Sequence, residues 1–399
     1  MAALFLVVSP ASELSLTSLL PPIQHHVAEY VAGLPNYTCT EIVHRFERPR
    51  RVKDFQTIDT IKLEIAVLNG TEHFAWPGSS RFEDKDLPEL LGGGYGALTK
   101  GDFVMHARNI FLRDQATFSS PRAEKLGDFA AIRVDYEVPV GKSNFEIRAD
   151  GGKAVVGYKG TAWVDELTLQ LLRITIEAEN IPSKIHVRSM RSEINYALVQ
   201  LGDAKVLLPS SSQYTLQHSS RVDLRSQIEF SGCRQYGVTS NLSFGDAAPA
   251  GATVGPSARI KSVPAGIVLP LRLSAGIDSP TMAVGDPITA VTTRKVLVVG
   301  GVEFPAGTIV HGRIRKMERH FEPMPYFVVG LEFNELESGA QRIPFLAEMK
   351  DMTPMAGMLG RSWALRIPGV GVFAVTSKSV KIPKGHMMIW ETRDFPTGR

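Results

Sequence analysis

Three short phrases repeat in the C-terminal third of the chain: Val263-Pro264-Ala265-Gly266, Phe304-Pro305-Ala306-Gly307 and Ile382-Pro383-Lys384-Gly385. Each sets an apolar residue before Pro-x-Gly and an apolar, β-branched-rich run after it. Proline fixes φ for position i+1 of a tight turn, and glycine suits i+3. Each phrase therefore reads as a turn feeding a strand, and the repetition predicts a separate all-β module over residues 263–393. Gly266, Gly307 and Gly385 then serve the backbone rather than a ligand. Val268, Ile309 and Met387, each two residues after its glycine, are expected at equivalent strand positions. Val310 and Met388 fall on the face opposite Ile309 and Met387. Were Ile309 to point inward, an aspartate there would bury an unpaired charge and destabilise the module.

Upstream, Ser18 to Gly33 reads as one helix. Pro21 and Pro22 suit its first turn, Gly33 and Pro35 end it, and Ile23, Val27, Tyr30 and Val31 make one apolar stripe. Ile61, Leu63, Ile65 and Val67 alternate with polar or small residues toward Asn69-Gly70, a hairpin turn. Residues 84–114 suggest one or two helices interrupted by Gly92-Gly93-Gly94-Tyr95-Gly96. From 128 to 246 only strands are expected, joined by short turns into an antiparallel sheet. The fold class is mainly β with a few helices: an α+β half-barrel followed by a small all-β barrel. The division is 1–17 as a signal remnant, 18–245 as helix plus curved sheet, 246–262 as linker and 263–393 as barrel. The linker assignment rests on its small, Pro/Gly-rich composition.

With 399 residues and 44% hydrophobic content, the chain has room for two domains with real cores. The formal net charge is +3. Residues 261–399 hold 17 Lys and Arg against 12 Asp and Glu, giving +5, and the remainder carries −2. This balance argues against a nucleic-acid partner. No segment after the N-terminus has the ~20 apolar residues that span a bilayer. The opening, Met-Ala-Ala-Leu-Phe-Leu-Val-Val-Ser-Pro-Ala-Ser, resembles the end of an apolar export signal followed by a small-residue cleavage zone, without a basic n-region. The other reading is a mildly apolar, frayed terminus.

Only two cysteines occur, Cys39 and Cys233, too few for a Cys-only zinc site. They are two buried thiols or one disulfide; export favours a Cys39–Cys233 bridge. No catalytic signature stands out. The glycine run at 92–96 lacks the context of a phosphate loop. His25, His26 and Glu29 read as a solvated helix face. His311 to His320 is the densest basic stretch, with His311, Arg313 and Arg315 on one strand face; phosphate binding and a solvated sheet edge are the two readings, and the edge is adopted. Asn36-Tyr37-Thr38 fits a glycosylation sequon. Met349, Met352, Met355 and Met358 form a spaced series around Pro354 and Gly357 that an adaptable contact surface could use.

Several motifs resemble known families. Pro264-Ala-Gly-x-x-Leu-Pro270, Ile277-Asp-Ser279, Val284-Gly285-x-x-x-x-Ala290 and Phe304-Pro-Ala-Gly-Thr308 with Gly312 resemble the β-barrel domain of TrbI-like proteins of conjugation and type IV secretion, over about 60 residues. The long membrane-pore insertion of that family is absent. Leu34-Pro-Asn-Tyr-Thr-Cys-Thr-Glu41, Trp163-Val-Asp165 with Leu172-Arg173, and Glu229-Phe-Ser-Gly-Cys-Arg-Gln-Tyr236 resemble acidobacterial envelope proteins. The helix-then-strands order is similar to LolA/RseB-like half-barrels, by analogy of element order. Together these imply an exported, non-enzymatic envelope protein, periplasmic or outer-envelope, without cofactor or metal. A lipid or peptide would sit in the half-barrel cleft, with envelope proteins as further partners. The alternative is a structural subunit of a secretion or surface assembly.

Overall fold

The computed structural model describes residues 15–49, 52–79, 82, 87–91, 104–119, 121–149, 152–219, 222–235, 261–298, 302–322, 324–339, 341–361 and 367–395. Residues 1–14 of the expected signal remnant, the glycine run at 92–96 and residues 246–260 of the expected linker lie outside them. The fold is mainly β with few helices, as the patterning predicts. In chain order come α1 (Leu16–Gly33), β1 (Tyr37–Arg48), β2 (Gln56–Leu68), β3 (Thr71–Ala75), α2 (Leu87–Leu90) and α3 (Met105–Arg108). A π-helical turn, Asn109–Arg113, continues α3. Then follow β4 (Thr117–Phe118), β5 (Arg122–Leu126), β6 (Phe129–Val138), β7 (Glu146–Ala149), β8 (Gly152–Val155), β9 (Gly157–Asp165), β10 (Leu171–Glu179), β11 (Val187–Leu201), β12 (Ala204–His218) and β13 (Asp223–Gln235). The C-terminal strands are β14 (Val268–Leu273), β15 (Ile277–Asp278), β16 (Pro287–Thr292), β17 (Val296–Val298), β18 (Val302–Phe304), β19 (Ile309–His320), β20 (Tyr326–Ser338), β21 (Gln341–Pro344), β22 (Leu346–Met352), β23 (Met358–Arg361), β24 (Val370–Val375), β25 (Lys381–Ile382) and β26 (Met387–Arg393).

Two compact units emerge, and they do not follow chain order. One holds α1, α3 and β4 to β12; the other holds β1 to β3, α2, β13 as far as residue 232, and all strands from β14 onward. In the first unit the strands run β12-β11-β10-β9-β6-β4, with β5 also on β6. Alternation sorts its faces. Ile132, Val134, Tyr136 and Val138 enter a core with Ile23 and Val27 of α1 and with Ala107, Ile110 and Phe111. Arg133, Asp135 and Glu137 take the other face. Helix α1 begins at Leu16, two residues earlier than expected, so Pro21 and Pro22 sit inside it rather than in its first turn. Interior prolines forgo backbone hydrogen bonds. Asn69 and Gly70 take φ of 51° and 75°, the signs a two-residue hairpin turn of the primed type requires.

In the second unit β3-β2-β1-β13 form one run of strands, and β22-β26-β14-β16-β19-β20-β24-β23 another, with β21 on β20. They meet in a backbone bridge. Lys62 N donates to Val284 O at 2.8 Å, and Val284 N donates to Thr60 O at 2.9 Å. Lys62 Nζ reaches Asp286 Oδ1 at 2.8 Å. Gly285 has φ of +97°, and a Cβ there would lie 2.3 Å from Lys62 O. Both facts require glycine.

Deeper in the same unit lies an ionic cluster. Arg45 donates from Nε to Asp59 Oδ1 at 2.7 Å, and from Nη2 to Asp59 Oδ2 at 2.6 Å and Glu318 Oε1 at 3.1 Å. Lys316 Nζ stands 3.2 Å from Glu318 Oε2. Arg45, Asp59, Lys316 and Glu318 are all buried. Burial pushes the Glu318 carboxyl up, but His320, Arg45 and Lys316 outweigh it and hold it down at about 2.

The three Pro-x-Gly phrases are turns of one kind, shifted by one position from the expectation. Thr308 N donates to Pro305 O and His386 N to Pro383 O, both at 3.2 Å, so proline is residue i and glycine i+2. Gly266, Gly307 and Gly385 have φ of +84°, +86° and +86°, which is what a type II turn demands at i+2. Each glycine N–H also pins its turn to a neighbouring strand: Gly266 to Thr392 O, Gly307 to Thr292 O and Gly385 to Leu273 O, at 2.9, 2.7 and 2.9 Å. Thr392 and Thr292 are buried. Their hydroxyls donate to Pro264 O and Pro305 O at 2.6 and 2.9 Å, and accept from Ile267 N and Thr308 N at 2.8 and 3.1 Å. At the third turn Leu273 takes the threonine position, without a hydroxyl.

The strand positions after the turns are equivalent, as expected. Val268, Ile309 and Met387 are 43%, 39% and 39% exposed, while Leu269, Val310 and Met388 are buried. Ile309 therefore faces outward, and the inward alternative is excluded. The basic stretch 311–320 is not a sheet edge: β19 lies between β16 and β20. Met349 and Met352 of β22 are buried, and Met355 and Met358 are half-buried, so they form no open contact surface.

Candidate ligand-binding face

The first unit carries an extended apolar face beneath α1 and the π-helical turn. Along β6, β9, β10 and β11 the inward residues are aliphatic or aromatic: Val134, Tyr136, Tyr158, Ala162, Ile174, Ile176, Ile194 and Tyr196. Ring contacts link His106, Phe145, Tyr158, Tyr136, Phe118 and Phe111 in series, with successive centroids 5.4–6.4 Å apart. Three of these contacts are edge-to-face, Phe118–Tyr136 is tilted and Phe111–Phe118 is stacked, and aromatic pairs of this kind add to area burial. The phenols are anchored. Tyr136 Oη donates to Thr175 O at 2.7 Å and Tyr158 Oη to Asp114 Oδ2 at 2.9 Å. Burial raises both phenols well above their usual range; the neighbouring Tyr158 adds to the effect at Tyr136, and the Asp114 charge at Tyr158. Neither ionises near neutrality, so they serve as rigid apolar bodies with a tethered polar tip.

The cover is slight. Of the 18 residues of α1 only Ile23 and Val27 are buried; its N-cap Ser15 makes no side-chain cap, its first turn has no acid and its last turn no base. Such a helix draws nothing from capping or from its dipole. Gln24 Nε2 holds it to Phe111 O at 3.0 Å, and Tyr30 meets Tyr196 edge-on at 6.4 Å. Leu16, Leu19, Tyr30 and Val31 pack half-buried at its rim. The π-helical turn widens the second covering piece and presents both Ile110 and Phe111 to the core; π-turns inside helices concentrate at functional sites. The opposite sheet face is polar. There a cleft of about 470 Å³ is lined by Arg133, Asp135, Glu137, Lys159 and Glu177 among others. Burial raises the Asp135 carboxyl, but hydrogen bonds from Thr161, Arg133 and Arg122 hold it below the usual carboxylate range.

The cysteines named from sequence are both disulfide-bonded, and no free cysteine remains. The bond joins Cys39 of β1 to Cys233 of β13. It closes a loop of about 195 residues, which loop entropy values at up to about 4–5 kcal/mol. The other sequence candidates are accounted for internally. His25 and His26 lie 3.3 and 3.5 Å from Glu29 on an exposed helix face. His311 Nε2 meets Glu337 at 2.8 Å. Arg315 bonds Glu332 at 2.7 Å and Leu90 O at 3.1 Å, and stacks 4.8 Å from the Trp76 ring. Asn36 is exposed. Among the described residues no group of three or more His, Cys, Asp or Glu could hold a metal, and no helix is long and apolar enough to cross a membrane. The aromatic series and the π-helical turn had no sequence signal beyond apolar alternation.

No protein-family model matches the chain, and no curated protein does. The solved structures similar to part of it include two at low identity. One is a DUF1329 family protein from Desulfovibrio piger, at 10% identity and a TM-score of 0.30, over 55% of this chain and 93% of that one. The other is a putative outer membrane lipoprotein-sorting protein domain from Vibrio parahaemolyticus, at 12% identity and a TM-score of 0.32, over 55% of this chain and 92% of that one. Both scores are low, and the functional reading rests on the site itself.

Proposed function

We propose that the chain is a non-enzymatic, exported binding protein of the cell envelope. It takes an acyl chain or apolar peptide segment against the inner face of the first unit's sheet. The observation that carries this reading is the mismatch between that broad aromatic and aliphatic face and a covering helix with two buried side chains and no caps. Shifting α1 exposes a ready apolar surface, the kind of lining that small-molecule sites favour. Oxidised Cys39 and Cys233 support an oxidising compartment. The structural-subunit alternative loses its main support, because Met349 and Met352 are buried. The test is native mass spectrometry of protein purified from its envelope, followed by titration of the delipidated protein with a fluorescent palmitate analogue. The expected result is an apolar adduct, and saturable binding that slows amide exchange in residues 16–33. Neither adduct nor saturable binding overturns the proposal.

A further inference from the structure

The turn between β1 and β2 and the neighbouring strand β13 enclose a cleft of about 430 Å³ within the second unit, lined by Phe46, Arg48, Lys53, Asp54, Phe55, Arg225 and Gln227. Three of its linings are cations and one is a carboxylate. Arg48 is partly neutralised by an ion pair to Asp223. The other two cations are not. Among the described residues Lys53 has no ion pair, and Arg225 has none either, its Nε being enclosed without a hydrogen-bond partner. Arg225 is held in place from below: its guanidinium lies 3.9 Å from the Phe55 ring centroid, and Arg48 stands 5.2 Å from the same ring. Burial and then the Arg48 charge press the Arg225 guanidinium below its usual range, as expected of like charges with too few counter-ions.

We propose that this cleft is a binding site for a phosphate group carried on a small polar molecule or a lipid headgroup. A lone carboxylate is satisfied by one arginine fork. Donors converging from Arg48, Lys53 and Arg225 suit an anion with several outward oxygens, and planar guanidiniums pair with phosphate at two points. Phe55 spends its ring face on fixing Arg225, so the ligand meets donors already oriented. Asp54 on the rim disfavours a ligand that packs more negative charge against that side. The site needs none of the residues of the apolar face and stands or falls separately from it.

The experiment uses the full chain and two probes, glycerol phosphate by titration calorimetry and vesicles of phosphatidylglycerol against phosphatidylcholine by co-sedimentation, at low and high salt. Lys53→Gln changes an exposed side chain and leaves the fold intact; Arg225→Gln removes the unpaired fork. Each should weaken binding roughly tenfold, the loss of one charge-assisted contact, and salt should weaken it further. Saturable binding of glycerol phosphate with these losses supports a soluble ligand. Binding confined to phosphatidylglycerol vesicles, with the same losses, supports a headgroup. No binding of either probe, or binding that both variants leave unchanged, overturns the proposal.

Discussion

In the second unit, Arg45, Asp59, Lys316 and Glu318 are locked together out of water, and Gly285 lets backbone touch backbone. In the first unit, α1 rests on its sheet through Ile23, Val27 and a rim of half-buried apolar side chains. Both assemblies join segments far apart in sequence, but with different tolerance. Charges in a dry interior demand every partner, whereas apolar packing gives way in proportion to what is removed. The comparison teaches where this molecule can move: the apolar cover is the adjustable part and the ionic brace the fixed one.

The strongest way to break that contrast is Arg45→Met. It leaves the Asp59 and Glu318 carboxylates buried without their cation, and should cost about 3–5 kcal/mol, read as a lowered denaturant midpoint. A loss below 1 kcal/mol would mean that water reaches the cluster. The brace should also be acid-sensitive. Glu318 titrates near 2 when folded, below the ordinary 4.5. The stability it contributes is therefore complete above the unfolded value and drains away as pH falls from about 4.5 toward 2. Arg45→Met should flatten the stability profile across that window.

Next in size is the cover. Ile23→Ala should cost about 2 kcal/mol, the lower end for a buried isoleucine, and should speed amide exchange in 16–33 before that of β9 or β10. Uniform acceleration across both would show that α1 and the sheet open as one body, and the adjustable cover would be lost.

The turns provide a finer comparison. Thr392→Val should cost about 1–2 kcal/mol, because Ile267 N and Pro264 O both lose the hydroxyl. Thr292→Val should cost less, since the Thr308 hydroxyl already donates to Pro305 O at 2.7 Å. Equal losses would show that turn geometry, not the hydroxyl, holds the loop. Smallest of all is Ile309→Asp, which should stay within about 0.5 kcal/mol because the side chain faces out. A large loss would place Ile309 against an unseen partner.

The turns are legible because glycine and proline report backbone angles directly, although Pro-x-Gly alone fits two placements in a turn one residue apart. Strand alternation showed that Ile309 and Val310 oppose each other, but alternation is symmetric and does not say which side is dry. The helix at the N-terminus was legible from its stripe; its reach back to Leu16 was not, since prolines there suggested a later start. The disulfide partners followed from there being two cysteines. What no local pattern could reveal is the brace, because Arg45 and Glu318 are 273 positions apart and each alone reads as a surface charge. The proposed phosphate cleft is hidden for the same reason, with Phe55 in the turn before β2 and Arg225 on β13.

The bridge from Lys62 to Asp286 has a consequence for how the chain is made. These residues are 224 positions apart. During synthesis β1 to β3 emerge long before the strands that complete their unit. Contacts of such separation form late and slowly, and strand edges left waiting are open to wrong pairing. The hairpin at Asn69-Gly70 and the charges along β2 (Asp59, Lys62 and Glu64) are then the local means of keeping that early segment in register and soluble until its partner arrives.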